Sequence, residues 1–397
     1  MSDNTQFDVV LLGAGLSNGL IAAALLHHCP SARIAVIDQN PTLESQKTWC
    51  FHESDVKHVS AAWAWLRPFV AHQWSHYDVF FPSYTRRFDG AYHCITGERF
   101  GEVLQAKLSS PNVRQFLSSG AEVHRNVVVL QNGLRLDARV VFDGRGAARP
   151  EGCGFQKFVG WELEVAAGKS ALPTAPVLMD ATVEQVDGYR FVYVLPLDVG
   201  RLLVEDTYFS SSHIMDVATL EGRLRSYVAS QGWQLVRVVR SEKGVLPMPW
   251  SEQKTTPRSS DENVFDVGYR GGWFHAATGY SMPMAVAVAQ AVALGISAGI
   301  KDAQPLVTAV ARALEPLQSV FGDRGRFYRL LNRLAFKAVA DGDRRAVFER
   351  FYKLPVGLID RFYAGRSTWL DSARILGGRP PVPLSKFRLG RLLEGAS

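Results

Sequence analysis

The chain has 397 residues, 47% of them hydrophobic and 21% charged, with a formal net charge of +6 and a mean hydropathy of −0.03. That length accommodates two or three interleaved substructures with ample core, and the composition excludes a disordered, collagen-like or polytopic membrane chain. The four cysteines, Cys29, Cys50, Cys94 and Cys153, show no Cys-x-x-Cys pairing, so neither a zinc ribbon nor a disulfide framework is expected, and reduced cytosolic thiols are the simplest reading. The first residues carry Asp3 and no basic n-region, which sets the expectation of a chain without a secretory signal.

Residues 7–12, Phe-Asp-Val-Val-Leu-Leu, form a short apolar run closed by Gly13-Ala14-Gly15; Leu16, Ser17, Asn18 and Gly19 follow, and the apolar residues after Gly19 read as a helix. Arg33–Asp38 is a second apolar strand ending in an acid about 20 residues beyond Gly19. The order strand, glycine turn, helix, strand, acid is the first βαβ unit of a dinucleotide-binding fold. Small residues let the backbone approach a pyrophosphate at the helix N-terminus, where free N–H groups favour anions, and Asp38 is suited to accept both ribose hydroxyls. The pattern departs from Gly-x-Gly-x-x-Gly in having Asn18 before Gly19.

Further along come a helix-like stretch near 101–110, apolar segments at 113–116, 122–130 and 134–136, and the run 138–142 ending in Asp143-Gly144-Arg145-Gly146. The last reads as another parallel strand stopping at glycines, late enough in the half-domain to suggest an extended FAD site rather than a plain NAD module. Residues 264–300 add a strand ending at Gly268, then Thr278-Gly279-Tyr280-Ser281 opening a long Ala-rich helix, a second N-terminus facing the cofactor. From Gly271 to Ile300 there is no Asp, Glu, Lys or Arg, but Gln290, Pro283 and the many small residues favour a buried helix over a membrane span. Between these parts, residues 155–250 read as an inserted β-rich domain with a hairpin, 189–197 and 201–209, and a helix at 218–231.

The basic charge is confined to the tail. Residues 323–397 hold 16 Lys and Arg against 7 Asp and Glu, while residues 1–322 hold 28 against 31. Phe327, Tyr328, Phe336, Phe348, Phe351, Tyr352, Phe362, Tyr363 and Trp369 are interleaved with those cations, as on a surface that meets anionic lipid. A plain helical region is the other reading, and nucleic acid is not expected as a partner. The ten histidines form no metal-ligand spacing, so no metal is expected, and His275 reads as a packed residue. The Gly295-Ile296-Ser297-Ala298-Gly299 match to a nucleophile motif lies late in a helix and reads as packing.

Taken together, the cofactor turn, the Asp143-Gly144-Arg145 strand end, the Thr278-Gly279-Tyr280-Ser281 helix start and the hairpin's Glu205-Asp206-Thr207-Tyr208 resemble one family. So do Gln46–Phe51, Asp187–Tyr193, Phe348–Tyr352 and Arg361–Gly365. The chain looks like a bacterial lycopene β-cyclase over nearly its whole length; Ala276 departs from a His-Pro pair that related sequences often carry. The resemblance implies a glutathione-reductase-like FAD-binding Rossmann fold of the α/β class, with an inserted antiparallel β-rich substrate domain and a helical C-terminal region. On this reading residues 1–60, 100–150 and 262–300 form the FAD-binding domain, 61–99 and 151–261 the substrate domain, and 301–397 a helical membrane-facing region.

The same resemblance implies an isomerase that closes the ends of lycopene to β-rings by way of γ-carotene, without net redox change, using reduced FAD, with NAD(P)H as a possible reductant. An alkene is a weak base, so the chemistry needs an acid held protonated in an apolar pocket from which water is excluded. Glu205 is expected to carry that proton transfer, as acid, base or both, with Asp206 on the other strand face as an orienting group. The cofactor residues expected are Gly13, Ala14, Gly15, Leu16, Ser17, Asn18, Gly19, Asp38, Asp143, Gly144, Arg145, Gly268, Thr278, Gly279, Tyr280 and Ser281. An insoluble substrate gives the basic tail a reason to dock peripherally on the cytoplasmic face of the cell membrane; no obligate protein partner is expected. The rival is an NAD(P)H-dependent flavin monooxygenase or dehydrogenase acting on a hydrophobic substrate, though no second complete dinucleotide fingerprint is found.

Overall fold

A computed structural model describes residues 5–43, 45–146, 152–166, 168–251, 263–378 and 382–388. β1 (Gln6–Leu12) leads through the glycine turn into α1 (Leu16–His28) and back to β2 (Ile34–Asp38). There follow β3 (Thr48–His52), α2 (Glu53–Val56), α3 (Ala62–Leu66), the hairpin β4 (His72–Phe81) and β5 (Tyr84–Thr96), α4 (Gly97–Leu108), β6 (Val113–Leu117), β7 (Ala121–His124), β8 (Val127–Leu130) and β9 (Arg135–Asp143). The middle of the chain supplies β10 (Cys153–Ala166), β11 (Val177–Asp180), β12 (Tyr189–Asp198), β13 (Arg201–Ser210), α5 (Val217–Ser230), β14 (Gln234–Pro249) and β15 (Val264–Asp266). The rest is helical: α6 (Met282–Lys301), α7 (Leu306–Arg333), α8 (Arg344–Tyr352), α9 (Val356–Tyr363) and α10 (Trp369–Leu376).

These strands make two sheets. The first runs in the order β6-β2-β1-β9-β8-β7, with β15 also on β9. Its β6, β2, β1, β9 and β15 are parallel, and β7 and β8 add an antiparallel meander. β1 is buried along its length except at Gln6, as a central parallel strand covered on both faces must be. α1 and α6 pack on the same side, with Ala22, Ala23 and Ala24 facing a core that includes Ala285, Ala289 and Ala293; the small side chains let the helices approach closely.

The second sheet has eight strands in the order β14-β10-β13-β12-β11-β4-β5-β3, antiparallel throughout except at β11 and β4. β3 comes from residues read as part of the FAD-binding segment 1–60, yet it pairs with β5 in this sheet. The expected boundaries at 150/151 and 261/262 lie outside the described residues. The hairpin of β12 and β13 turns at Val199 and Gly200 as expected, Gly200 having φ +71°.

Two local expectations shift. The helix expected from 101 starts at Gly97, because the Thr96 hydroxyl accepts the Arg99 N–H at 3.2 Å and caps it. The segment 122–130 breaks at Arg125, with φ +52°, into β7 and β8.

α6 is long and apolar enough to cross a membrane by composition, but it is buried among α1, α3 and α7, and Gln290 in its middle accepts the Trp65 indole N–H at 2.7 Å. Gly295 and Gly299 are packing positions: a Cβ at Gly295 would lie 3.0 Å from the Ala309 carbonyl and from the Ala313 Cβ on α7.

The tail departs most from expectation. Of its ten aromatic residues, Tyr328, Phe336, Tyr352 and Phe362 are buried, Phe327, Phe348, Phe351, Tyr363 and Phe387 are half-buried, and Trp369 alone is largely exposed, at 77%. The rings face inward because α8 and α9 pack on the second sheet: Phe348 stacks on Tyr189 with centroids 4.2 Å apart, and Tyr352 meets Phe81 and Phe88.

Candidate active site

A cavity of about 730 Å³ runs from the carboxyl ends of the parallel strands onto one face of the second sheet. Its first end is built from backbone. Gly13 holds φ +85°, which only glycine adopts without strain, and the N-terminus of α1 at Gly15 has no side-chain cap, leaving its first N–H groups for a ligand. Asn18 explains the missing glycine. Its amide donates to the carbonyls of Leu12 and Gly13 at 2.8 Å and of Phe142 at 3.3 Å, stapling the turn to β1 and β9. Asp38 at the end of β2 accepts the Ala14 N–H at 2.6 Å and the Asn40 N–H at 2.8 Å.

Two glycines from distant segments close the cradle. A Cβ at Gly144 would lie 3.0 Å from the Asn18 amide nitrogen, and one at Gly268 2.9 Å from the Ser17 hydroxyl. The N-terminus of α6 also meets this cavity through Thr278, Tyr280, Ser281 and Met282 and again lacks a side-chain cap. Two uncapped helix N-termini, a glycine-lined approach and an acid at the second strand fit a dinucleotide with its pyrophosphate on α1. The buried Asn18 Oδ1 and Tyr280 hydroxyl, without hydrogen-bond partners among the described residues, leave polar capacity for such a group.

The other end is a wall of side chains. Leu203, Glu205, Thr207 and Phe209 alternate along β13 toward the cavity, joined by Phe191 and Tyr193 of β12. Glu205 pairs in register with Gly160 of β10 on one side and Tyr193 of β12 on the other. Beyond Gly160, in register on β14, is Glu242, and the Glu205 and Glu242 carboxyls hydrogen-bond to each other. Burial pushes the Glu205 carboxyl well above the ordinary glutamate range, and the hydrogen bond and charge of Glu242 push the same way. Cys50 adds to the effect and Arg240 opposes it. Glu242 is ion-paired to Arg240 at 2.9 Å and accepts the Thr48 hydroxyl at 3.3 Å. Tyr92 and Tyr193, hydroxyls 3.0 Å apart, sit beside them. The arrangement favours the neutral form of the Glu205 carboxyl against apolar and aromatic surface.

Not every expected residue reaches the cavity. Gly19 packs α1 on α4: a Cβ there would lie 2.4 Å from Phe100. Asp143 is fully buried and clasps the Arg145 guanidinium, with contacts of 3.0 and 2.8 Å, while Arg145 also donates to the Ala121 carbonyl. That pair shapes the loop carrying Gly144 and holds the Asp143 carboxyl below the usual carboxylate range despite its burial. Gly279, with φ +70°, fits closely against Leu246.

Asp206 does not meet the expectation that it orients Glu205. Strand alternation sends it to the opposite face, where it is fully buried, bound by Arg190 at 2.8 and 3.1 Å and by the Tyr208 hydroxyl at 2.7 Å. His275 is packed, as read: it bonds the Phe362 carbonyl at 2.9 Å, lies against Tyr328 with ring centroids 4.2 Å apart, and burial lowers its pKa to about 4. No group of His, Cys, Asp and Glu suited to a metal is found among the described residues. Sequence reading missed Glu242, Arg240 and Gly160. Only Gly160, a glycine inside a strand, carried a signal that another group approaches there.

A family model described as Lycopene cyclase protein matches residues 8–389. The lycopene beta-cyclase of Pantoea ananas is 41% identical over 386 residues, covering 96% of each chain. That of Paracoccus sp. is 38% identical over 388 residues, covering 95% of each. Among solved structures, a geranylgeranyl bacteriochlorophyll reductase-like protein from Thermoplasma acidophilum aligns with a TM-score of 0.64 at 12% identity, covering 98% of this chain and 99% of that one. The p-nitrophenol 4-monooxygenase of Pseudomonas putida aligns at 0.62 with 15% identity, covering 94% and 100%, and a probable FAD-dependent monooxygenase from Pseudomonas aeruginosa at 0.60 with 17%, covering 88% and 100%. The structural likenesses show the α/β fold of these enzymes. The sequence matches go further, and the chain belongs to the lycopene cyclase family.

Proposed function

We propose that this protein is a lycopene β-cyclase, an isomerase that closes the ψ ends of lycopene to β-rings and releases β-carotene by way of monocyclic γ-carotene. The observation that carries the reading is the Glu205 carboxyl, half-buried and hydrogen-bonded to a second carboxyl on the wall of an apolar cavity that continues into a dinucleotide cradle. Glu205 gives its proton to the terminal trisubstituted alkene. The neighbouring double bond attacks the resulting tertiary cation to form the ring, and a different proton leaves to set the ring double bond. One proton enters and one departs, so mass and oxidation state are unchanged.

The surrounding residues exclude water and stabilise positive charge. Phe191, Tyr193, Phe209 and Tyr92 offer aromatic faces to a cation that water would otherwise trap. FAD fits the first end, held by Gly13–Asn18, Asp38, Gly144, Gly268, Thr278, Tyr280 and Ser281, with Asp143, Arg145, Gly19 and Gly279 shaping the loops and helix that carry them. Bound and reduced, FAD supplies an electron-rich ring that favours a nearby cation. NAD(P)H serves as the external reductant and is not consumed in proportion to rings closed.

Membrane association is peripheral, on the inner face of the cell membrane. Its support is the exposed edge of α10, with Trp369 at 77% and Leu370 at 60%, next to Arg366 and Arg374 in a net basic region. Flotation with anionic vesicles tests this part; a chain that stays at the bottom of the gradient removes it. The reaction is tested by anaerobic incubation with lycopene and chemically reduced FAD, without pyridine nucleotide. Cyclised pigment is expected from the native chain and none from Glu205→Gln. A strict need for stoichiometric NAD(P)H or oxygen would instead support a monooxygenase or dehydrogenase.

A further inference from the structure

An acid that must face an apolar substrate at neutral pH needs something to keep its proton on and its carboxyl pointed. We propose that Glu242 does this for Glu205: leaning across the gap left by Gly160, ion-paired to Arg240, it accepts the hydrogen bond of the Glu205 carboxyl and fixes both its orientation and its proton. Glu242 is a positioning residue in this account, and the proposal rests on Glu205 being the acid.

The register makes the contact possible. Glu205 and Glu242 stand on the two strands that flank β10, both opposite Gly160. Those strands are about 10 Å apart, too far for two carboxyls to meet unless both side chains fold inward over the central residue. A Cβ at Gly160 would block them, lying 2.7 Å from Glu205 Cγ, 3.2 Å from Glu205 Oε1 and 3.2 Å from Glu242 Cγ.

Charge accounting says which carboxyl holds the proton. Arg240 binds Glu242 at 2.9 Å and Glu162 at 2.6 Å, and Arg201 binds the other oxygen of Glu162. The two arginines and the two acids Glu162 and Glu242 balance, and Arg240 is tied further to the Thr48 hydroxyl and the Gln46 carbonyl at 2.7 Å. Among the described residues Glu205 is left without a cation of its own. The other ionisable groups near it are Cys50 on β3, Tyr193 on β12 and Tyr92 on β5, with Lys243 exposed at the cavity edge on β14. Burial raises the two tyrosines, and a hydrogen bond with Cys50 together with burial raises Cys94, so all three stay neutral through the working pH range. A proton lost from Glu205 would leave two carboxylates in contact, so the neutral form is favoured.

The test is the pH profile of single-turnover cyclisation by flavin-loaded, reduced protein with lycopene in vesicles. The rate falls with rising pH as Glu205 ionises. In Glu242→Gln the carboxylate that disfavours this ionisation is gone, and Arg240 keeps Glu162 alone, which it shares with Arg201, as its counter-charge. The alkaline fall is therefore expected to move to lower pH by at least about one unit, about a tenfold loss above the new midpoint with the rate recovered below it. Glu242→Asp, which keeps the charge with shorter reach, is expected to fall between.

A uniform loss at every pH with an unmoved midpoint, or no change at all, overturns the proposal. If Glu242→Gln fails to retain flavin or to melt cooperatively, the infrared carbonyl band of the protonated carboxyl, titrated in native protein and in Glu242→Asp and assigned by its loss in Glu205→Gln, gives the same answer; identical midpoints overturn it. Activity retained in Glu205→Gln would instead remove the acid reading itself.

Discussion

The two ends of the cavity are made in different ways. The dinucleotide end is assembled from short contiguous stretches, 13–18, 144 and 278–282, and works through backbone N–H groups, positive φ at Gly13 and the absence of side chains. The sheet end works through side chains, and its carboxyl pair comes from strands 37 positions apart in sequence, Glu205 and Glu242, meeting only because Gly160 lies between them. A site made of backbone tolerates no added atoms, whereas a site made of side chains tolerates no change of charge. Each end should therefore fail separately.

Glu205→Gln separates them most sharply: turnover is expected to fall by about 10³-fold or more, while flavin content after reconstitution, read from absorbance, stays at the native level. Asp206→Asn tests the opposite face of the same strand. Breaking the buried pair with Arg190 is expected to cost about 3–5 kcal/mol in urea unfolding, with kcat per flavin within about twofold of native; a kcat loss matching that of Glu205→Gln would return Asp206 to the chemistry. Gly160→Ala should lower kcat about tenfold by pushing the two carboxyls apart, an overpacking of a tight contact, again with flavin retained. Asp38→Ala strikes the other end, weakening flavin affinity several-fold through loss of the group that binds the Ala14 N–H, with turnover restored by saturating FAD. The smallest effect is expected from Trp369→Ser, which should leave unfolding free energy within about 0.5 kcal/mol yet reduce flotation with anionic vesicles.

The contrast also explains what could be read from the sequence. The βαβ unit, the strand ending at Asp143, the Ala-rich helix and the β12–β13 hairpin were legible because each is signalled by neighbours in the chain: apolar runs, glycines, an acid at fixed distance. Glu205 was picked out through family resemblance and strand alternation. Glu242 was not, because its role depends on register across β10, which no local pattern states. Asp206 was assigned to the opposite face by alternation, but its partner Arg190, one strand over, was not visible. The tail misled for a related reason: aromatic residues among cations look the same whether the rings face lipid or a sheet, and the burial of Tyr352 and Phe362 comes from packing of α8 and α9 that sequence spacing does not reveal.

The most direct test of the central claim, that a neutral carboxyl on the cavity wall starts a redox-neutral ring closure, is anaerobic turnover of lycopene in D₂O with reduced FAD and no pyridine nucleotide, native chain beside Glu205→Gln. The account predicts a cyclic product carrying one deuterium per ring closed, flavin still reduced at the end, and no product from the variant. Product without deuterium, flavin oxidised in proportion to product, or rings formed by Glu205→Gln would contradict it.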